Sequence, residues 1–366
     1  MAAAPLFKPF QHKSLSLKNR VVMAPMTRSF SPSHIPGENV AGYYRRRAEG
    51  GVGLIISEGV GVARPSSLND PNVPFFHGDA SLAGWKRVID DVHAAGGKMA
   101  PQLWHVGVVR NPRTEWKAPG PIDSPSGLSS PGKTVSEPMS LEDIADAIDA
   151  FGRAARDAQR LGYDAVEIHG AHGYLIDQFF WGGVNERTDQ YGGKTLAERA
   201  RFGAEVAAAI RAAVGPDLVI IQRISQWKQQ DFTVKLAANP QELEAWVAPL
   251  ADAGVDIFHG SQRRFWEPEF DGSDLNFAGW LKKVTGKPSI TVGSVGLTGE
   301  FIASYAGEAS KPASLDNLLE RLDREEFDLV AVGRALLVDP NWAQKVREGR
   351  ESELLDYSAE ALRSLS

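Results

Sequence analysis

Apolar runs of four to seven residues recur along the chain, and each is followed by a polar or glycine-rich end and an amphipathic stretch. The first, RVVMAPM at Arg20 to Met26, ends in Thr27 and Arg28. The others are Val52 to Ser57, Lys98 to Leu103, Ala165 to Ile168, Leu218 to Ile224, Val255 to Phe258, Ser289 to Val292 and Phe327 to Val332. Short continuous apolar runs bounded by turn residues read as strands buried on both faces. Helical spacing between them predicts helices over 38–49, 82–95, about 141–161, 196–214, 240–253, 277–284, 315–324 and about 341–348. Gly50, Gly96, Gly162, Gly215 and Gly254 stop several of these just before the next strand. Ser140 with Asp143 reads as a capping box, and Asn239 before Pro240 as a helix start. Pro249 falls inside its helix and is expected to kink it. Residues 6–19 alternate weakly and read as a hairpin preceding the main fold.

Eight strand–helix alternations predict an α/β fold of the (β/α)8 TIM-barrel class, with residues 1–19 as an N-terminal hairpin. The 366 residues contain no evident linker, so one domain over 1–366 is expected. An open doubly wound sheet would want a G-x-G-x-x-G turn after the first strand, and MAPMTRS has none. Residues 106–138 are rich in Pro, Gly and Ser. A loop of that length reads as a functional rim segment.

Chemistry in such barrels is placed where the strands end. Those ends supply Thr27, Gly59, Gln102, His169 with His172, Arg223, Gly293 with Ser294, and Gly333 with Arg334. His169, His172 and Tyr174 stand out, because core packing gives no reason to choose two imidazoles and a phenol within six residues. Glycines with a nearby arginine after strands seven and eight suit an anion approached by backbone N–H groups. Arg223 is either an exposed rim arginine or a buried cation that needs an acceptor. His105 and His259 read as pocket lining or as rim histidines, with the rim favoured, and Phe179, Phe180 and Trp181 as packing. The charges of NERTDQYGG at 185–193 read as pins for a loop.

Composition narrows the field. The hydrophobic fraction is 43% and the charged fraction 23%, as in an ordinary globular protein. A net charge of −6 gives no basic footprint for nucleic acid. Cysteine is absent, which excludes thiolate metal sites and iron–sulfur clusters. MAAAPLFKPFQHKSL lacks the apolar core of a signal peptide, and no run approaches the roughly 20 apolar residues of a membrane span, so a cytoplasmic location is expected. One rival is a metal-dependent barrel hydrolase or lyase using His169, His172 and a carboxylate such as Glu167, which should share a strand face with His169 by period two. It leaves Gln102, Arg223 and the glycines without a task. A phosphosugar-binding isomerase would explain the glycines and Arg334 but would lack a paired acid and base elsewhere.

APMTR at 24–28, PQLWHVG at 101–107, EIHGAHGYLIDQF at 167–179, NERTDQYGG, QRIS at 222–225, VGSVG at 292–296 and VGRALLVDP at 332–340 resemble the Old Yellow Enzyme family. The likeness runs from about Phe7 to Gly349. It implies a (β/α)8 barrel whose N-terminal hairpin closes the bottom, and tightly bound, non-covalent FMN reduced by NAD(P)H. The activity it implies is ping-pong reduction of an alkene activated by a carbonyl or nitro group. By resemblance, Thr27 bonds the flavin O4, Gln102 pairs with the pyrimidine edge, and Arg223 sits by N1 and O2, where negative charge gathers on reduction. Pro25, Met26 and Gly59 give backbone contact, and Gly293, Ser294, Gly333 and Arg334 hold the phosphate. His169 and His172 hold the activating oxygen, Tyr174 protonates the α-carbon, and Trp104 lines the substrate pocket. The resemblance implies no metal, and a monomer or homodimer. Residues 226–239 and 261–276 match no part of the family pattern.

Overall fold

The structure is a computed structural model and describes residues 3–299 and 308–366. Its centre is a closed parallel barrel of eight strands in sequential order. The strands are β1 (Val21–Met23), β2 (Leu54–Gly61), β3 (Met99–Trp104), β4 (Ala165–His172), β5 (Val219–Lys228), β6 (Ile257–Ser261), β7 (Ser289–Val292) and β8 (Leu329–Val332). β8 pairs with β1 through Val330 and Val21, which closes the ring.

Period two decides what each strand residue does. Val22, Leu54, Ala100, Ala165, Val219, Ile257, Ile290 and Leu329 form one buried apolar cluster inside the barrel. Their strand neighbours Val21, Ile55, Met99, Val166, Ile220, Phe258 and Val330 join the outer cluster beneath the helices. The inner cluster belongs to the amino ends of the strands. The antiparallel hairpin Phe10–His12 with Leu15–Leu17 packs Leu15 and Leu17 into it. The bottom of the barrel is therefore plugged with hydrocarbon. Further up the same inward columns the residues turn polar: Gln102, Glu167, His169, Arg223 and His259. These polar groups lie toward the carboxyl ends of the strands.

The helix at Glu38–Glu49 and strand β7 fall where the pattern places them. The segment expected as one helix over 196–214 is two, Leu196–Arg199 and Arg201–Val214. A second capping box, Thr195 with Glu198, starts the first of them. The helix Pro240–Asp252 continues through Pro249. The helix expected over 315–324 is Asp316–Asp323, and a short helix at Arg334–Val338 precedes the one at Trp342–Arg347. Within residues 106–138, Leu128–Ser130 and Lys133–Thr134 make a small antiparallel hairpin. That loop is anchored by Asp123, which accepts from Arg64 Nε at 2.9 Å and meets His105 Nε2 at 2.8 Å. Burial works against ionising Asp123, but these partners hold it down at about 2. The NERTDQYGG turn is likewise pinned: Asn185 Nδ2 donates to the carbonyls of Phe179 and Tyr191, both at 2.8 Å.

The helix Leu141–Leu161 begins with the expected capping box. Ser140 Oγ accepts from Asp143 N–H at 3.1 Å, and Asp143 Oδ2 accepts from Ser140 N–H at 3.0 Å. Ser140→Ala should cost about 1 kcal/mol in urea unfolding. A loss below a few tenths would mean that the box adds nothing to the fold.

Candidate active site

The sequence-predicted groups gather at the carboxyl ends of the strands, and strand register puts them on two neighbouring rungs. Gly59 lies opposite Gln102, Gln102 opposite Glu167, and His169 opposite Arg223, which in turn faces His259. A buried hydrogen-bonded chain crosses the barrel at this height. Gln102 Nε2 donates to Glu167 Oε1 at 2.7 Å, and His259 Nδ1 meets Glu167 Oε2 at 2.7 Å. His259 is therefore an interior residue, not the rim histidine expected. His105, 1% exposed and bound to Asp123, corrects the same expectation. In both cases a carboxylate distant in sequence makes the burial tolerable. Both oxygens of Glu167 are engaged here, so it does not converge with His169 and His172 on a metal. Among the described residues no group of three or more His, Asp or Glu could hold one.

Arg223 is buried, which settles the choice left open by the sequence. Its Nη2 donates to Ser261 Oγ at 3.2 Å. Its Nε has no hydrogen-bond partner among the described residues. Burial pushes the guanidinium down from its ordinary value while Glu167 and Tyr174 act to raise it. A guanidinium stays protonated in proteins, so the top of the barrel holds a fixed cation with an unused donor.

β4 runs on to His172, well past the expected Ile168, and β5 to Lys228, well past Ile224. The extension pairs His172 with Lys228 across a bulge. His172 has φ 65°, in the left-handed region that a side chain enters only at a cost. Three contacts hold it there. Its N–H donates to Ser225 Oγ at 2.9 Å, its Nε2 meets Ser261 Oγ at 2.7 Å, and its ring stacks on Trp227 at 4.4 Å. Gly173 N–H donates to Asp177 Oδ2 at 2.6 Å, and Lys228 Nζ donates to Asp177 Oδ1 at 2.7 Å. Burial raises Asp177 to about 6 and lowers Lys228, so each is pushed toward neutrality and each keeps the other charged at pH 7.

His169 accepts the Ala171 N–H on Nδ1 at 3.4 Å, which leaves its proton on Nε2. Tyr174 caps the helix Leu175–Phe180 and presents its ring edge-on to His169 and to Trp104, with centroids 4.9 Å away in each case. Trp104 lies nearly parallel to His169 at 6.1 Å. Burial, with Arg223 adding repulsion, holds both imidazoles well below their ordinary value. The pair is uncharged at neutral pH. Gly59 leaves room for Trp104, since a Cβ there would come within 2.5 Å of the indole.

At the other side of the mouth, β7 ends in Gly293 at φ 144° and Ser294 at φ 51°. A Cβ on Gly293 would lie 2.7 Å from the Gln262 carbonyl oxygen. Arg334, just past β8, donates from Nη2 to Ser294 Oγ at 3.3 Å and to Gly299 O at 2.6 Å. Gly333 sits beside Met26, whose Sδ would be 3.6 Å from a Cβ there. Pro25 and Met26 are half-buried and Thr27 is exposed. This β1 exit is tied to β2 by Glu58, whose Oε2 accepts from Arg28 N–H at 2.9 Å and Ser29 N–H at 3.3 Å.

Burial raises Glu58 to about 7, against 4.5 in an unfolded chain. A carboxyl raised on folding contributes fully below pH 4.5, and that contribution fades as pH rises through about 7. Glu58→Gln keeps an acceptor and removes the titration. Its stability relative to the parent should rise between pH 5 and 8, by up to about 3 kcal/mol. A difference independent of pH in urea unfolding would show that Glu58 does not titrate there.

A family model described as the NADH:flavin oxidoreductase / NADH oxidase family matches residues 5–353. The chain belongs to this family. Among relatives, 12-oxophytodienoate reductase 7 of Oryza sativa subsp. japonica is 39% identical over 231 residues, covering 60% of this chain and 58% of that protein. In that match the chain spans less than two thirds of the relative's length. Flavin oxidoreductase hxnT of Emericella nidulans is 32% identical over 371 residues, covering 97% of this chain and 93% of its own. Two solved structures share the fold with a TM-score of 0.80. Morphinone reductase in complex with tetrahydroNAD is 30% identical, covering 98% of this chain and 93% of that one. The Old Yellow Enzyme homologue from Zymomonas mobilis is 26% identical, covering 98% and 96%.

The family cofactor is FMN and its reductant a reduced nicotinamide. The residues present fit that group. Gln102 spends one of two amide N–H groups on Glu167, and an amide so held keeps one donor and its carbonyl for a pyrimidine edge. Arg223 keeps its unpartnered Nε, a cation suited to the side of the ring that gains charge. The Gly293–Ser294 turn and Arg334 offer backbone and guanidinium to an anion. Sequence reasoning missed Ser261, Trp227, Lys228 and Asp177 as parts of this site. Period two on β6, which places Ser261 on the face of His259, was the signal that could have found the first.

Proposed function

We propose that this protein reduces the activated C=C bond of α,β-unsaturated carbonyl or nitro compounds with NAD(P)H. FMN, when bound, supplies the hydride exchange between nicotinamide and alkene. His169 and His172 donate N–H groups to the carbonyl or nitro oxygen. Because both rings are neutral, they polarise that oxygen without handing over a proton. Electron demand then falls on the β-carbon. Tyr174 gives its phenolic proton to the α-carbon from the face opposite the hydride. Trp104 walls the pocket beside Tyr174. Arg223, Gln102 and Thr27 bind the flavin ring, and Gly293, Ser294, Gly333 and Arg334 its phosphate.

The observation that carries this reading is the grouping of His169, His172 and Tyr174 above one buried cation. The centroid of His169 lies 5.1 Å from that of His172 and 4.9 Å from that of Tyr174. Nicotinamide and alkene share one mouth, so the oxidised nicotinamide must leave before the alkene enters. Steady-state rates with NADPH and 2-cyclohexenone varied together should give parallel double-reciprocal lines. Intersecting lines would exclude the ping-pong order, and absence of turnover with any enone or nitroalkene would exclude the reaction.

A further inference from the structure

Ser261 is the junction between the buried cation and the histidine pair. Its hydroxyl oxygen lies 3.2 Å from Arg223 Nη2 and 2.7 Å from His172 Nε2. Ser261 is 2% exposed, and no other acceptor for its hydroxyl proton is found among the described residues. A guanidinium can only donate, so Ser261 Oγ accepts from Arg223. The one proton on that hydroxyl then has one acceptor in reach, the lone pair of His172 Nε2. A neutral imidazole with an accepting Nε2 carries its proton on Nδ1. His169 has the opposite arrangement, because Ala171 N–H occupies its Nδ1. The two free donors are therefore His169 Nε2–H and His172 Nδ1–H. Neither nitrogen is engaged by a described residue, and neither is sealed off as His259 Nε2 is.

We infer that Ser261 is a positioning residue that fixes the tautomer of His172, so that the pair presents two N–H donors to one substrate oxygen. Trp227 supports the arrangement from two sides. Its ring is stacked on His172 with the planes 22° apart, and its Nε1–H donates to the Ser261 carbonyl at 3.1 Å. The ring orientation that places Nε2 on Ser261 is thereby the one packed in place. The hydroxyl also links the pair to Arg223, the cation at the flavin site. The inference rests on the proposed role of the pair as donors to the substrate oxygen.

The test uses the FMN-loaded enzyme, with ring-¹⁵N histidine and 4-chlorophenol as the probe ligand. The His172 resonances, assigned by their loss in His172→Gln, should show a protonated Nδ1 and an unprotonated Nε2. Ser261→Ala should turn them into a tautomer mixture and weaken 4-chlorophenol binding about tenfold, as for loss of one hydrogen bond to a charged ligand. Ser261→Thr, which keeps the hydroxyl, should restore the parent tautomer and most of the affinity. A protonated Nε2 in the parent protein overturns the inference, whether or not the alanine variant folds. Unchanged tautomer and affinity in Ser261→Ala overturn it too. A parent enzyme that binds no phenol at all would instead count against the donor pair, and the nitrogen shifts would still decide the tautomer.

Discussion

Tyr174→Phe should bind FMN and accept electrons from NADPH at an unchanged rate, yet reduce 2-cyclohexenone roughly 10²–10³-fold more slowly. The range is that of a positioned general acid removed from a carbon protonation. The substitution keeps the ring, and with it the edge contacts to Trp104 and His169 at 4.9 Å. The pocket therefore keeps its shape and loses one proton donor. Stopped-flow separates the two half-reactions: bleaching of the flavin by NADPH, then its recovery on mixing with enone. Only the second should slow. Equal slowing of both would mean that Tyr174 shapes the nicotinamide site, and no slowing would remove it from proton transfer.

Lys228→Met should destabilise the fold by roughly 3–5 kcal/mol. Lys228 and Asp177 are both fully buried, so removing the ammonium leaves a carboxylate whose one remaining hydrogen-bond partner among the described residues is the Gly173 N–H. Asp177 already titrates at about 6 with the lysine in place. Without it the folded-state value rises further above the unfolded one. A contribution of that sign is complete at low pH and is lost as pH rises. The loss in Lys228→Met should thus be smaller in urea unfolding at pH 5 than at pH 8. Adding Asp177→Asn should recover part of the stability at pH 8 and little at pH 5. A loss below 1 kcal/mol, or one that ignores pH, would mean the pair is not an ion pair in the folded protein.

The apolar halves of the strands were legible because their pattern depends on local sequence alone. Eight runs, their glycine stops and the Ser140 capping box were enough to imply the barrel and its order. The residues at the strand ends that face the mouth were legible too, because His169, His172, Tyr174 and Arg223 have no reason to follow an apolar run. What escaped was a set of polar residues whose burial depends on a distant partner. Ser225, Gln226 and Lys228 lie past the expected strand end at Ile224, yet they continue β5. His172 N–H, the Ala237 carbonyl and Asp177 satisfy them one by one. His259 read as a rim residue because Glu167, its partner, is 92 positions away. Glu167 itself was weighed as a metal ligand, while the fold spends both its oxygens on Gln102 and His259. Residues 226–239 and 261–276, silent in sequence, meet through Gln226 and Lys235 on Glu269. They form the wall that carries Trp227 and Ser261.

On the proposed function, this barrel mouth passes electrons from nicotinamide to an activated alkene through bound FMN. The most direct test is the visible spectrum of the purified protein, followed under anaerobic conditions by NADPH and then 2-cyclohexenone. The expected result is a yellow flavin band that bleaches with NADPH and returns with the enone. A flavin that bleaches and stays bleached in the presence of enones and nitroalkenes would contradict the ene-reductase reading. A colourless protein that cannot be reconstituted with FMN would contradict the flavin site itself.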